Sequence, residues 1–278
     1  MNDDHPMNFP ETVIASVHAA VASSLTCDAL PVRHALRLLL SGQNMPIRAL
    51  VTCSLYPAPP GIDAGTALDL IHISLQQLHA HVDATSGTSA LLGNAAAVLA
   101  GDYLTTGAFR LLVRCADMRV LALVSDAVNR ASELEATQLG LDPDARDDPS
   151  RLLQTRQQLA VPLGEAAGAT GATLAGYPEP LAGTARRYGE YLVSSHVLQQ
   201  EADAMPPSKA RTALRRSALD LCRQATQEAR TIAMAAGNGR PLALAELIAA
   251  SIKATVPAEP LAGILPDPMK NQSEKPTP

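Results

Sequence analysis

Between Leu91 and Phe109 the chain reads LLGNAAAVLAGDYLTTGAF, and no other stretch restricts the possible folds as much. Gly93, Ala95, Ala96, Ala97, Ala100, Gly101, Gly107 and Ala108 keep it thin, while Leu91, Leu92, Val98, Leu99, Leu104 and Phe109 recur beside them. Apolar residues at three- and four-residue spacing predict a helix, and apolar character nearly all the way round predicts one buried on several sides. Small side chains let a neighbouring backbone come close. The stretch therefore predicts the central helix of a bundle. Asn94 and Asp102 lie inside it and need partners there, because an unpaired buried carboxylate is costly.

The rest of the core must be made of similar material. Aromatics are 3% of the 278 residues and Trp is absent, so Ala, Leu and Val fill the interior. Such a core favours helix packing over a β-sandwich. Along the chain, helical patterns run from Pro10 to Ser24, from Pro31 to Gly42, and from Ile47 to Leu55. Pro57-Ala58-Pro59-Pro60 stops the third, and Asp63 is a candidate cap for a fourth reaching Val82. After a loop at Asp83–Ser89 and the central helix, further helices are predicted over Met118–Leu139, from Ser150 onward, over Leu181–Met205, from Ser208 to Gly237, and over Leu242–Lys253. Gly168–Gly176 fits either close-packed helix or a turn. The fold class expected is all-α, about ten helices, with residues 1–256 in one domain and a Pro-rich disordered tail over 257–278.

The net charge of −5 argues against a nucleic-acid or anionic-membrane partner. Cys27, Cys53, Cys115 and Cys222 form no CxxC pair and read as reduced thiols. Met1-Asn2-Asp3-Asp4 lacks the features of a signal peptide, and no apolar run is clean over the ~20 residues a bilayer span needs. The expectation is a cytoplasmic protein with no transmembrane segment.

The central stretch, followed by VLALVSDAVNRASELEATQL, resembles the trans-polyprenyl diphosphate synthases, the octaprenyl type above all. The family's Gly-Asn, Gly-Asp and aromatic positions correspond to Gly93, Asn94, Gly101, Asp102 and Tyr103. Glu135, Gln138 and Leu139 match its next helix end. LDLIH from Leu68 resembles the start of its first metal-binding helix, and RRYGEYLVSSHVLQQEADA from Arg186 its second. The similarity covers roughly Leu40 to Met205 in order. It implies an isoprenoid-synthase bundle of helices around a central cavity, with two facing DDxxD motifs holding Mg²⁺ for diphosphate departure.

Set against that pattern, the chain lacks most of the chemical groups. The first motif falls on His79-Ala80-His81-Val82-Asp83, leaving His79 and Asp83 as remnants. The second falls on Gln200-Glu201-Ala202-Asp203-Ala204, where Glu201 alone keeps a carboxylate at a motif position. Gly-Lys-Arg-x-Arg-Pro stands as Gly42-Gln43-Asn44-Met45-Pro46-Ile47, so its cations are gone. His72, with Gln43 and Arg48, marks what is left of the substrate-binding positions. Gly93, Asn94, Ala100, Gly101 and Asp102 are read as structural or interface residues. Losing about three Mg²⁺ ions removes several kcal/mol of transition-state stabilisation.

These losses imply a non-catalytic subunit of a heteromeric synthase, with the Mg²⁺ cofactor held by an intact polyprenyl diphosphate synthase partner and none expected on this chain. A homodimer can use the same surface. The alternative is a divergent enzyme, or a protein that binds a prenyl chain or other apolar ligand in a remodelled cavity. His72, Gln76, His79 and Asp83 share one helix face. Two His and an Asp suit a transition metal such as Zn²⁺, but a polar cavity mouth or a subunit contact is the favoured reading. The run Arg211–Arg216 reads as a solvated helix face.

Overall fold

Proline and glycine punctuation divides the chain into helices. The computed structural model describes residues 9–25, 45–78, 93–139 and 149–255. Among these residues are nine α-helices and no strand: α1 (Phe9–Ser24), α2 (Ile47–Leu55), α3 (Pro59–His72), α4 (Asn94–Cys115), α5 (Met118–Leu139), α6 (Pro149–Leu174), α7 (Glu179–Ala204), α8 (Lys209–Ala236) and α9 (Arg240–Thr255). A π-helical stretch, Ile73–Leu78, continues α3. The helix expected over Pro31–Gly42, the loop at Asp83–Ser89 and the tail from Pro257 lie outside the described residues.

Two boundaries differ from the sequence reading for clear reasons. α3 starts at Pro59, not behind a cap at Asp63, because prolines in a first helical turn give up only an N–H that has no partner there. Asp63 instead accepts both prongs of Arg114, at 2.6 and 3.1 Å. The passage from Gly168 stays helical to Leu174 and then turns through Gly176 at φ 68°. The long C-terminal helix behaves as expected. Ser208 Oγ accepts from the Arg211 N–H at 3.1 Å at its start, and Gly237 closes it in the left-handed region.

The closest helix contact is between α6 and α7. A methyl group on Gly168 would overlap the Ala185 carbonyl, and one on Gly164 would lie 3.1 Å from the Gly189 carbonyl oxygen. A methyl on Gly189 would strike Gly164 and Gly168 in turn, and Gly171 meets α2 at Thr52 and Leu55. Glycine is required on both sides, since the two backbones touch. Pro162 interrupts the hydrogen-bond ladder within α6. One turn earlier, the Leu159 carbonyl accepts Gln76 Nε2 from the π-helical stretch, at 3.1 Å.

α4 packs on α3, and its small residues face its own bundle. Ala100 is 1% exposed, and Gly101 and Gly107 are buried with it. This corrects the interface reading of Ala100 and Gly101: both belong to the protomer core. The outward stripe is instead Val98, Leu99, Phe109 and Val113, of which Leu99 and Val113 are 62% and 72% exposed. Asn94 and Asp102 are exposed as well, contrary to the expectation of buried polar residues. By length and composition α4 is also apolar enough to cross a membrane, the one such helix among the described residues. Nine of its residues, however, fill the bundle core.

Candidate functional site

α2 begins after Pro46, which supplies no side-chain cap. The carboxylate of Asp69, on α3, takes that role from across the helix pair. Its Oδ1 accepts the Arg48 N–H at 3.3 Å and its Oδ2 the Ala49 N–H at 3.0 Å. These are two of the amides that a helix start leaves without partners. Arg48 Nη1 approaches the same Oδ1 at 3.5 Å, while the Nε and Nη2 of Arg48 have no partner although the residue is only 2% exposed.

His72 sits one turn along α3 from Asp69, on the same face, and His196 comes from α7. Both are half-buried with one ring nitrogen turned inward and unpartnered, Nδ1 of His72 and Nε2 of His196. Burial, then the Arg48 charge, pushes His196 down to about 4. Burial, then Arg48 and His196, holds His72 well below the usual imidazole range. Burial pushes the Asp69 carboxyl up against the pull of Arg48, and lowers Arg48 itself. Cys53 is pushed up to about 12 by burial and by Asp69, so its thiol is inert.

The histidine shifts carry a pH signature. A group whose folded pKa lies below its unfolded value contributes stability that is fully present above the unfolded pKa and lost as pH falls through the folded one. For His196 that window runs from the ordinary 6.5 down to about 4. The wild type should therefore lose a few kcal/mol between pH 7 and pH 4.5, and His196→Phe should lose less. Thermal unfolding across that range checks this, because the difference between the two proteins cancels groups common to both. Parallel profiles would show that His196 is not held neutral.

The remaining expected site residues lie at the C-terminal end of α7. Glu201 forms an ion pair with Arg156 of α6, at 3.2 Å. Asp203 accepts Gln199 Nε2 at 3.0 and 2.9 Å and Arg215 Nη2 at 2.8 Å. Arg215 therefore turns inward from the face read as solvated. Each carboxylate is thus committed to a guanidinium, and Gln200 and Ala204 offer no anionic oxygen. This donor set does not fit Mg²⁺, which takes carboxylate oxygens at close range. Among the described residues no group of three or more His, Cys, Asp or Glu could hold a metal ion. Gln43, His79 and Asp83 lie outside the described residues. Gln76, on the His72 face, is engaged with α6. Gly93 precedes α4 at φ 77°, a conformation that favours glycine.

Sequence reasoning did not single out Asp69, Arg156 or the pairing of His72 with His196. Only the spacing of Asp69 and His72, three residues apart on a helix, was visible beforehand.

No protein-family model matches the chain. It is 33% identical over 104 residues to the octaprenyl diphosphate synthase of Haemophilus influenzae, covering 37% of this chain and 32% of that protein. To the octaprenyl diphosphate synthase of Escherichia coli it is 29% identical over 194 residues, covering 64% of this chain and 59% of the relative. The matched segments thus span less than two thirds of those proteins. Among solved structures, a polyprenyl synthase from Caulobacter crescentus complexed with calcium and isoprenyl diphosphate superposes with a TM-score of 0.74, at 19% identity, over 90% of this chain and 97% of the other. A decaprenyl diphosphate synthase from Rhodobacter capsulatus gives a TM-score of 0.70, at 17% identity, over 88% and 98%.

Proposed function

We propose that this chain is a member of the polyprenyl diphosphate synthase family, as its likeness to the octaprenyl diphosphate synthases supports, and that within it the chain is a non-catalytic subunit that packs against an intact synthase and supports isoprenoid chain elongation there. The observation that carries this reading is the Arg156–Glu201 ion pair. Departure of a diphosphate needs dense positive charge held by free carboxylates. Here the carboxylate retained in the second motif, Glu201, is already paired with a guanidinium. Mg²⁺ is accordingly the partner's to bind.

The outer stripe of α4 supports the association half of the proposal. Val98, Leu99, Phe109 and Val113 form an apolar line left uncovered in the protomer. Laid antiparallel on a like helix about a two-fold axis near Thr106, α4 sets Leu99 opposite Val113 at both ends. Such a line is self-complementary and accepts a second helix of the same fold, whether from an intact synthase or from another copy of this chain. The gain to the partner is packing: helices held across the interface raise the population of its competent shape.

The test has two arms. Alone with Mg²⁺, an allylic diphosphate and isopentenyl diphosphate, the chain should form no prenyl product above background. Turnover at about 1 s⁻¹ or faster would overturn the non-catalytic half. Titrated into a limiting intact synthase, the chain should change rate or product length and saturate as the complex fills. A complex that forms and alters neither ends the supporting role.

A further inference from the structure

We propose that Arg48, His72 and His196 frame a binding site for a single carboxylate group, carried by a small organic acid. The site belongs to this chain alone and does not depend on the accessory-subunit reading.

Three observations point there. The first is the orientation of the guanidinium. Arg48 turns Nη1 toward Asp69, which leaves the Nε and Nη2 edge without a partner. Those two N–H groups are parallel and spaced to meet both oxygens of one carboxylate. Arg48 is 2% exposed, and a buried polar group of this kind is normally satisfied.

The second observation is the charge balance. Asp69 lies closer to the amides of Ala49 and Arg48, at 3.0 and 3.3 Å, than to the guanidinium, at 3.5 Å. Its charge is shared between the Arg48 guanidinium and the start of α2, which carries about half a positive charge. The Arg48 charge is therefore only loosely compensated in a place where buried charges need partners. One further negative charge completes the balance. A multiply charged group such as a diphosphate would leave excess negative charge buried beside Asp69.

The third is access and shape. Arg48 is sealed, while His72 and His196 each keep part of their surface exposed, which makes the histidine side the route by which a ligand would enter. Their inward nitrogens, Nδ1 and Nε2, have no partner. An imidazole nitrogen can donate or accept according to its tautomer, so the pair can flank an oxyanion held on the guanidinium edge.

Acetate is the simplest probe, compared with chloride at equal ionic strength by thermal unfolding of the full chain. At about a hundredfold excess over Kd, acetate should raise Tm by about 5–10 °C over chloride. His196→Phe should weaken the acetate response several-fold. The double variant Arg48→Met with Asp69→Asn removes both charges together, leaves no unpaired buried charge, and is expected to fold; in it, acetate and chloride should act alike. Equal responses to the two salts in the wild type would overturn the site. So would an acetate effect that survives in the double variant. A larger rise with inorganic diphosphate than with acetate would overturn the assignment to a single charge. All arms use this chain without a partner, so they can fail while the accessory role stands, and the reverse.

Discussion

Gly168→Val should lower the melting temperature by about 10 °C or prevent folding. The reason is the α6–α7 crossing, where even a methyl on Gly168 would overlap the Ala185 carbonyl. A carbonyl cannot swing aside as a flexible side chain can, so the two helices would have to separate. Gly189 presses on Gly164 and Gly168 from the other side, which blocks a local adjustment. Overpacking costs typically ~1–3 kcal/mol and more where backbone must move, and each kcal/mol is worth about 2–4 °C in a chain of this size. Gly183→Ala is the matched control. A methyl there meets only the end of the Arg187 side chain, at 3.9 Å. It should leave Tm unchanged or raise it slightly, as glycine to alanine in an open helical position does. Equal losses in both variants would mean that helix propensity, and not the crossing, sets the requirement.

Leu99→Asp combined with Val113→Asp should abolish association while leaving the protomer folded. Both residues project from the outer stripe of α4, at 62% and 72% exposed. In a two-fold antiparallel arrangement each copy places one residue of the pair against the other, so the double change sets carboxylates against carboxylates at both ends of the contact. Interface anchors of this kind are worth ~2 kcal/mol or more each, and two of them amount to a loss in affinity on the order of 10³-fold. Sedimentation of the chain, alone and mixed with an intact synthase, measures the effect, and an unchanged melting temperature shows that folding is untouched. Ala100→Leu should do the opposite. Ala100 is 1% exposed within the protomer, so enlarging it should lower stability without reducing association directly. If the outer-stripe variant sediments as the wild type does, the contact lies on another face.

The helical class and several boundaries were legible because the residues that set them act locally. The stripe Leu121, Val124 and Val128 marks α5, and the chemistry of Ser208 and Gly237 fixes the ends of α8. The facing of α4 was not legible. Its small and large residues are nearly all apolar, so periodicity predicts burial all round, and only packing against α3 decides that Ala97, Ala100, Gly101 and Leu104 go inward while Val98, Leu99 and Val113 stay out. The site was less legible still. Arg48 and His72 stood out through resemblance, yet what defines them is contact between helices far apart in sequence. Asp69 caps a helix 21 residues away, and Arg156 neutralises Glu201 across α6 and α7. His196 was not singled out in the sequence, and nothing in its neighbours along the chain announces His72.

The cap that Asp69 places on α2 has a consequence for the order in which the chain assembles. A helix of nine residues is too short to persist on its own, and its first turn is where it would ordinarily fray. Here the amides of Arg48 and Ala49 have their acceptor on α3, so that turn cannot be completed until α3 has formed and docked. The carboxylate in turn tolerates its burial because those amides receive it. Each half supports the other, so α2 and α3 are expected to form together. The end of a helix that would normally open first becomes, in this chain, among the last places to let go.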